Sequence, residues 1–275
     1  MEKIVIRIVG WYINISSYVS KSYAANKALS LFGTPRRGFI TDKQSDFLDT
    51  AYKEEFVYDK LPIMTYRWVG KKQTILLAHG WESNSARWKN LINYLNRKDF
   101  NIVAIDAPAH GNSGGKLFNA ILYSEFINVI AKRYKPDILI GHSVGGMASV
   151  LFQHKYQTPN VKKIILLGAP SEFTDVLQRY TDMLGYNERT KNQIKLTIIN
   201  NFGKAPEEFS TAKFLKEISS QGLIIHDSED KVIPYEDALS INKSFKNSKL
   251  ITTKGLGHSL NDDSVANYIY EFLEN

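Results

Sequence analysis

The sequence predicts an α/β protein built on a doubly wound, mostly parallel sheet of eight strands. Three observations lead there. Short apolar runs alternate along the chain with stretches of helical periodicity. Several runs, among them Thr74–Ala78 (TILLA) and Lys163–Leu167 (KIILL), are apolar almost throughout, as strands covered on both faces must be. The helical stretches between them are long enough to carry a parallel crossover.

Taken in order, the chain opens on a mostly apolar segment, Ile4–Ile15, broken by Arg7, Gly10 and Asn14. A membrane-spanning helix needs about 20 apolar residues, so the segment is too short to span, and Arg7 breaks the apolar region a secretory signal would need. Ile4, Ile8, Trp11, Tyr12, Ile15 and Val19 fall on one helical face. Two readings are open for residues 1–50: a helical segment packing on the domain, or an interfacial anchor making weak membrane-surface contact through residues 4–19. Neither argues for export, and a cytoplasmic protein, at most peripheral to a membrane, is expected.

Strands are expected at Glu55–Tyr58, Met64–Val69, Thr74–Ala78, Asn101–Ile105, Ile138–Ile140, Lys163–Leu167, Leu223–Ile225 and Leu250–Thr253. The first two are joined by Asp59-Lys60-Leu61-Pro62, read as a hairpin at an antiparallel edge. Helices are expected over Ser85–Arg97, opened by a serine cap, and over Phe118–Tyr134, Val144–Tyr156 and Asp262–Leu273. Residues 171–220 break the alternation with helical pieces and no strand. An insertion of that length between core strands is too long for an ordinary connection, so it is read as a helical subdomain. The core is then 51–170 with 221–275.

Composition narrows the chemistry. The 275 residues contain no cysteine, which excludes disulfides, a thiolate nucleophile and cysteine-ligated zinc. Lys and Arg exceed Asp and Glu by 35 to 28, giving +7, but the basic residues are scattered in short pairs such as Lys71-Lys72 and Lys162-Lys163. No basic stripe interleaved with aromatics is present, so no nucleic-acid partner is expected.

The strongest chemical signal is Gly141-His142-Ser143-Val144-Gly145, set between an apolar strand and a helix. A Gly-x-Ser-x-Gly turn at such a junction holds a serine on a tight bend with its hydroxyl presented, which makes Ser143 the candidate nucleophile. A serine nucleophile needs a base, and the base an orienting carboxylate. In the chain order serine, acid, histidine, the candidates for the base are His226, ending a strand, and His258, in the loop Gly255-Leu256-Gly257-His258-Ser259; the loop position favours His258. The acid comes from the segment after Leu223–Ile225, where Asp230 is preferred and Asp227 is the alternative, the latter suited to holding a turn. Donors for an oxyanion are expected from the backbone N–H of Val144 and, in the loop His79-Gly80-Trp81, of Trp81. The Trp81 indole either lines the pocket or packs as a core aromatic, and His79 is expected to be structural.

These segments, with Asp106-Ala107-Pro108-Ala109-His110-Gly111-Asn112-Ser113-Gly114 and Asp230-Lys231-Val232-Ile233-Pro234, resemble in kind and order the α/β-hydrolase fold superfamily, in its branch of serine hydrolases with a helical cap. The resemblance covers about residues 54–275 and implies a triad of Ser143, Asp230 and His258, with Asp106–Gly114 as a structural turn. It places the cap at 171–220, where Phe173 and Met183, with Trp81, are the expected substrate contacts. It implies no metal or organic cofactor, and a small-molecule ester or thioester substrate with a hydrophobic acyl part. Carbon–carbon bond hydrolysis, acyl transfer by the same triad, or a low-turnover ligand-binding homologue are the alternatives. Ser143 stands where the dehalogenases and epoxide hydrolases of this fold carry aspartate, which excludes their chemistry. The sequence does not reveal the oligomeric state.

Overall fold

The structure is a computed structural model that describes residues 2–275, with side chains from Ile4 onward. In chain order it forms α1 (Glu2–Val19), α2 (Lys21–Gly33), α3 (Asp42–Leu48), β1 (Tyr52–Tyr58), β2 (Leu61–Trp68) and β3 (Thr74–Ala78). Next come α4 (Lys89–Asn96), β4 (Asn101–Ile105), α5 (Ala120–Tyr134), β5 (Ile138–His142), α6 (Val144–Tyr156) and β6 (Lys163–Leu167). The remainder is α7 (Phe173–Leu184), α8 (Glu188–Phe202), α9 (Thr211–Leu215), β7 (Gln221–Asp227), α10 (Tyr235–Ser244), β8 (Ser248–Thr253) and α11 (Asp263–Glu274). The chain divides into two compact units, one of Met1–Thr34 with Glu172–Ser210 and one of Pro35–Ser171 with Thr211–Asn275.

In the larger unit, the described residues form one eight-stranded sheet in the order β1-β2-β4-β3-β5-β6-β7-β8. Only β1–β2 and β2–β4 pair antiparallel; every pairing from β4 to β8 is parallel. The sheet is therefore the predicted mostly parallel one. The β1–β2 hairpin turns through Asp59 and Lys60, both at positive φ (45° and 66°), the backbone of a two-residue turn that matches strand twist. Successive side chains of the inner strands alternate between two cores. Leu76, Leu139, Ile164 and Leu166 face one, with residues of α5, α6 and α10. Ile75, Ile140, Ile165 and Leu167 face the other, with residues of α4 and α11. Burial on both faces explains why these strands read as unbroken apolar runs.

Some helix starts shift from the sequence expectation, each for a capping reason. Asn84, not Ser85, caps the first turn, accepting from the Ala86 N–H, and the helix opens as a 3₁₀ turn over Ser85–Trp88. Asn119 accepts from the Leu122 N–H at 2.8 Å and starts α5 at Ala120 rather than at Phe118.

The domain boundaries move as well. Residues 35–50 go with the sheet, because Leu48 is buried and Phe47 stacks on Trp68 with ring centroids 5.2 Å apart. Residues 211–220 do the same through Leu215 and Ile218. The smaller unit is all helix: α1 and α2 pack with α7 and α8 around Ile13, Ala25, Ala28, Leu184, Ile194 and Ile198. Gly10 lets α1 approach, since a Cβ there would stand 1.7 Å from the Leu184 carbonyl oxygen. Asn14 then ties the helix to the turn between α7 and α8. Its amide donates to the Gly185 carbonyl at 2.8 Å, and its carbonyl accepts from the Asn187 N–H at 2.9 Å and from the Thr190 hydroxyl at 3.2 Å.

Removing such a set leaves buried groups without partners, at about 1–3 kcal/mol. Asn14→Ala is expected to lower the stability of the helical unit by that amount, read as faster hydrogen exchange of α8 amides with exchange in β3 and β5 unchanged.

Candidate active site

The centre of the site is the turn between β5 and α6. Ser143 has φ 54° and ψ −129°, a conformation an L-residue adopts only when its surroundings force it. The forcing is steric. A Cβ on Gly141 would lie 2.4 Å from the Gly146 Cα, and one on Gly145 would lie 2.3 Å from the Ala78 carbonyl oxygen. The two flanking glycines thus let α6 start directly against β3 and β5. Ser143 anchors the turn by donating its N–H to the Leu167 carbonyl at 2.8 Å. The first amides of α6, that of Val144 foremost, point out of the helix N-terminus, which favours negative charge.

The loop after β3 lies against this turn. A Cβ on Gly80 would meet Ser143 Cβ and His142 Nδ1 at 2.9 Å, so only glycine brings the backbone of residues 79–81 this close. His79 fixes the loop: its Nε2 accepts from the Ala107 N–H at 3.0 Å, leaving Nδ1–H to donate to the Gly80 carbonyl at 2.8 Å. His79 is therefore structural. The Trp81 indole packs between His110 and Phe118, with ring centroids 5.4 and 5.3 Å away, as part of the aromatic core. The Asp106–Gly114 turn braces the same region. The buried Asp106 carboxylate accepts from the N–H groups of Ser85 and Asn112 and from the Tyr66 hydroxyl.

His258 and Asp230 meet beyond the ends of β7 and β8. The ring donates from Nδ1 to Asp230 Oδ2 at 2.7 Å, which leaves Nε2 for another partner. The Asp230 side chain is fully buried, and its other oxygen accepts from the N–H groups of Val232 and Ile233 at 2.7 and 3.0 Å. Burial alone would raise this carboxyl, but hydrogen bonds from His226, His258 and those two amides outweigh it and hold the group far below the usual carboxylate range. Asp227 does other work: it accepts from the Glu229 and Leu256 N–H groups and the Thr253 hydroxyl, pinning the loop that carries His258.

Two histidines join the site that the sequence pattern did not assign to it. His226 Nε2 donates to the Ile233 carbonyl at 2.9 Å and lies 3.4 Å from Asp230 Oδ2. Burial pushes its ring down, and the Asp230 carboxylate with the Ile233 carbonyl reverses this and raises it. His142 Nε2 donates to the His258 carbonyl at 2.8 Å, and the two rings lie 4.8 Å apart, so the serine turn and the histidine loop are bonded directly. Burial, with the Arg87 charge adding, keeps His142 neutral by pushing it well below its ordinary value. Position gave the available signal: His226 stands four residues before Asp230, and His142 adjoins Ser143.

The sheet unit thus brings Ser143, Val144, the 79–81 loop, Asp230 and His258 to one edge, at the carboxyl ends of β3, β5 and β7. Phe173 and Met183 belong to the helical unit. Phe173 packs there on Phe32 and Phe209, while Met183 is exposed on α7.

An open parallel sheet carrying a serine on a strained strand-to-helix turn at its switch point is the α/β-hydrolase fold, and this chain has that fold. A family model of the α/β hydrolase fold matches residues 73–192. A Mycoplasma pneumoniae protein named as an esterase/lipase is 25% identical over 246 residues, 74% of this chain and 90% of its own. A bifunctional esterase/perhydrolase of Acinetobacter calcoaceticus is 25% identical over 276 residues, 81% of this chain and 93% of its own. Among solved structures, Est1E of Butyrivibrio proteoclasticus with bound ferulic acid superposes with a TM-score of 0.67 at 19% identity, over 81% of this chain and all of that one (100%).

The buried histidines make the site acid-sensitive. Burial, with His110 adding, pushes His79 from its ordinary 6.5 down to about 3. Between those values the unfolded chain binds a proton that the folded one does not, so stability falls as pH falls through that window, at about 1.4 kcal/mol per pH unit for one proton. His79→Gln, which keeps a donor and an acceptor, is expected to flatten the loss of unfolding free energy between about pH 6 and pH 4 by that slope. Urea unfolding at several pH values checks it, and an unchanged slope would mean that folded His79 already carries its proton.

Proposed function

We propose that this protein is a serine hydrolase that cleaves a carboxylic ester or thioester with a hydrophobic acyl part. The observation that carries this reading is the His258–Asp230 pair at the same sheet edge as a serine held at positive φ. The relatives named for esterase or lipase activity support the class of bond.

Ser143 Oγ attacks the substrate carbonyl carbon while His258 Nε2 takes its proton. Asp230 fixes the ring through Nδ1 and stabilises the imidazolium that forms. The carbonyl π-pair moves onto oxygen, and the resulting oxyanion is received by the N–H groups of Val144 and Trp81, each such donor contributing about 3 kcal/mol. The tetrahedral species collapses, breaking the bond to the alcohol or thiol, which leaves with the proton from His258. Water, deprotonated by the now neutral His258, attacks the acyl-enzyme, and the acid is released as Ser143 recovers its proton. By chain position, residues 171–220 fall where the resembled family carries its cap, and the acyl-chain roles of Phe173 and Met183 rest on that resemblance. His142, bonded to the His258 carbonyl, is a positioning residue.

Fluorophosphonate treatment is expected to add one adduct to the wild type by intact mass and none to Ser143→Ala, with His258→Ala labelled at a small fraction of the wild-type rate. On p-nitrophenyl esters of graded chain length, Ser143→Ala is expected to lower kcat on the order of 10⁴-fold or more. A folded Ser143→Ala variant that keeps wild-type esterase activity would overturn the proposal.

A further inference from the structure

Helix α1 is committed on one side only. Gly10, Ile13 and Asn14 face α2, α7 and α8, as described above, and Ile13 and Ser17 are buried. The opposite side is apolar and bare: Ile4, Ile8, Trp11, Ile15 and Val19 recur at helical spacing and are 45–90% exposed. Tyr12 and Tyr18 flank this strip, also exposed. A contiguous apolar helix face of this length, with aromatics at its margins, is uncommon on a free surface and marks a binding face.

Charge identifies the occupant. Residues 3–34 contain Lys3, Arg7, Lys21 and Lys27 and no Asp or Glu. Arg7, Lys21 and Lys27 are exposed. Arg189 is added at the Tyr18 margin, its guanidinium 5.1 Å from the ring centroid and its Nε donating to the Ser17 carbonyl at 3.1 Å. On the other margin, Tyr12 lies in the field of Lys27 and shares a hydrogen bond with Tyr23. An apolar strip bordered by aromatic rings and then by cations matches a bilayer surface, acyl chains inside and anionic headgroups outside. A second copy of the chain fits poorly. A two-fold pairing of this face would set the same cations against one another with no acid from residues 3–34 to offset them. Spanning is also disfavoured: no helix of the described residues is long and apolar enough to cross a membrane, and the Asn14 side of α1 is bonded into the helical unit.

We infer that α1 lies flat on an anionic phospholipid surface, its Ile4–Val19 strip inserted among the acyl chains and its basic margins on the headgroups. The inference is independent of the proposed chemistry at Ser143.

The full chain would be sedimented with phosphatidylcholine vesicles, with and without phosphatidylglycerol, at low and raised salt. Wild type is expected to bind the anionic vesicles at low salt and to weaken on neutral vesicles or at raised salt. The variant Ile8→Gln/Trp11→Gln/Ile15→Gln alters only exposed side chains, and is expected to keep its circular dichroism and fluorophosphonate labelling while losing binding by about tenfold or more. Arg7→Glu/Lys27→Glu, which leaves the strip intact, is expected to lose the preference for anionic over neutral vesicles. Wild type that sediments no better than the triple variant would overturn the inference. So would a wild-type dimer by light scattering that the triple variant converts to monomer without any vesicle binding, which would assign the face to a second copy.

Discussion

Ser143 is held at positive φ by the absence of side-chain atoms around it. Gly141, Gly145 and Gly80 each stand where a single added carbon would collide with backbone or with the serine and its neighbour. Three backbone segments, the ends of β3 and β5 and the start of α6, therefore converge more closely than any other residue would permit. This crowding presents the hydroxyl and aims the first amides of α6 past it. It also brings the 79–81 loop alongside. Strain of this kind persists only where the surroundings over-determine it. Here they do so through the Ser143 N–H bond to Leu167 and the β5 pairings on both sides.

A second layer of bonds fixes what the glycines bring near. His79 joins the 79–81 loop to Ala107, and Asp106 joins the next turn to Ser85, Asn112 and Tyr66. On the other side, Asp227 holds the loop that carries His258, and His142 bonds its carbonyl. The ionisable groups in this shell are sorted by environment. His79 and His142 are kept neutral by burial, whereas Asp230 keeps its charge because four donors face it. His226 differs from those two, because the Asp230 carboxylate and the Ile233 carbonyl raise its ring.

Much of this was legible in the residues. The strands stood out because burial on both faces makes them apolar throughout, and the serine turn because its glycines are a steric requirement. The Val232-Ile233-Pro234 segment, one residue beyond Asp230, distinguishes Asp230 from Asp227 in the sequence. The structure pairs His258 with Asp230, while Asp227 bonds loop amides. The rest depends on distance along the chain. Nothing local in Ile4–Val19 says that Gly10 and Asn14 meet Leu184 and Gly185, about 170 residues on. The same limit hid the true unit boundaries, because Phe47 finds Trp68 and Leu215 joins the sheet core only once the chain has folded. His226 reads as a strand-end residue until Asp230 folds back over it.

The helical unit is assembled from two pieces of chain, Met1–Thr34 and Glu172–Ser210, with 137 residues between them (172 − 34 − 1). During synthesis α1 and α2 leave the ribosome well before α7 and α8 exist. At ~5–20 residues per second the wait is roughly ten to thirty seconds. Throughout it both sides of α1 are uncovered, the Ile13 side because Leu184, Ile194 and Ile198 have not been made, and the Trp11 side because nothing in the finished unit ever covers it. In the nascent chain α1 thus stands with both apolar sides open until α7 and α8 follow it.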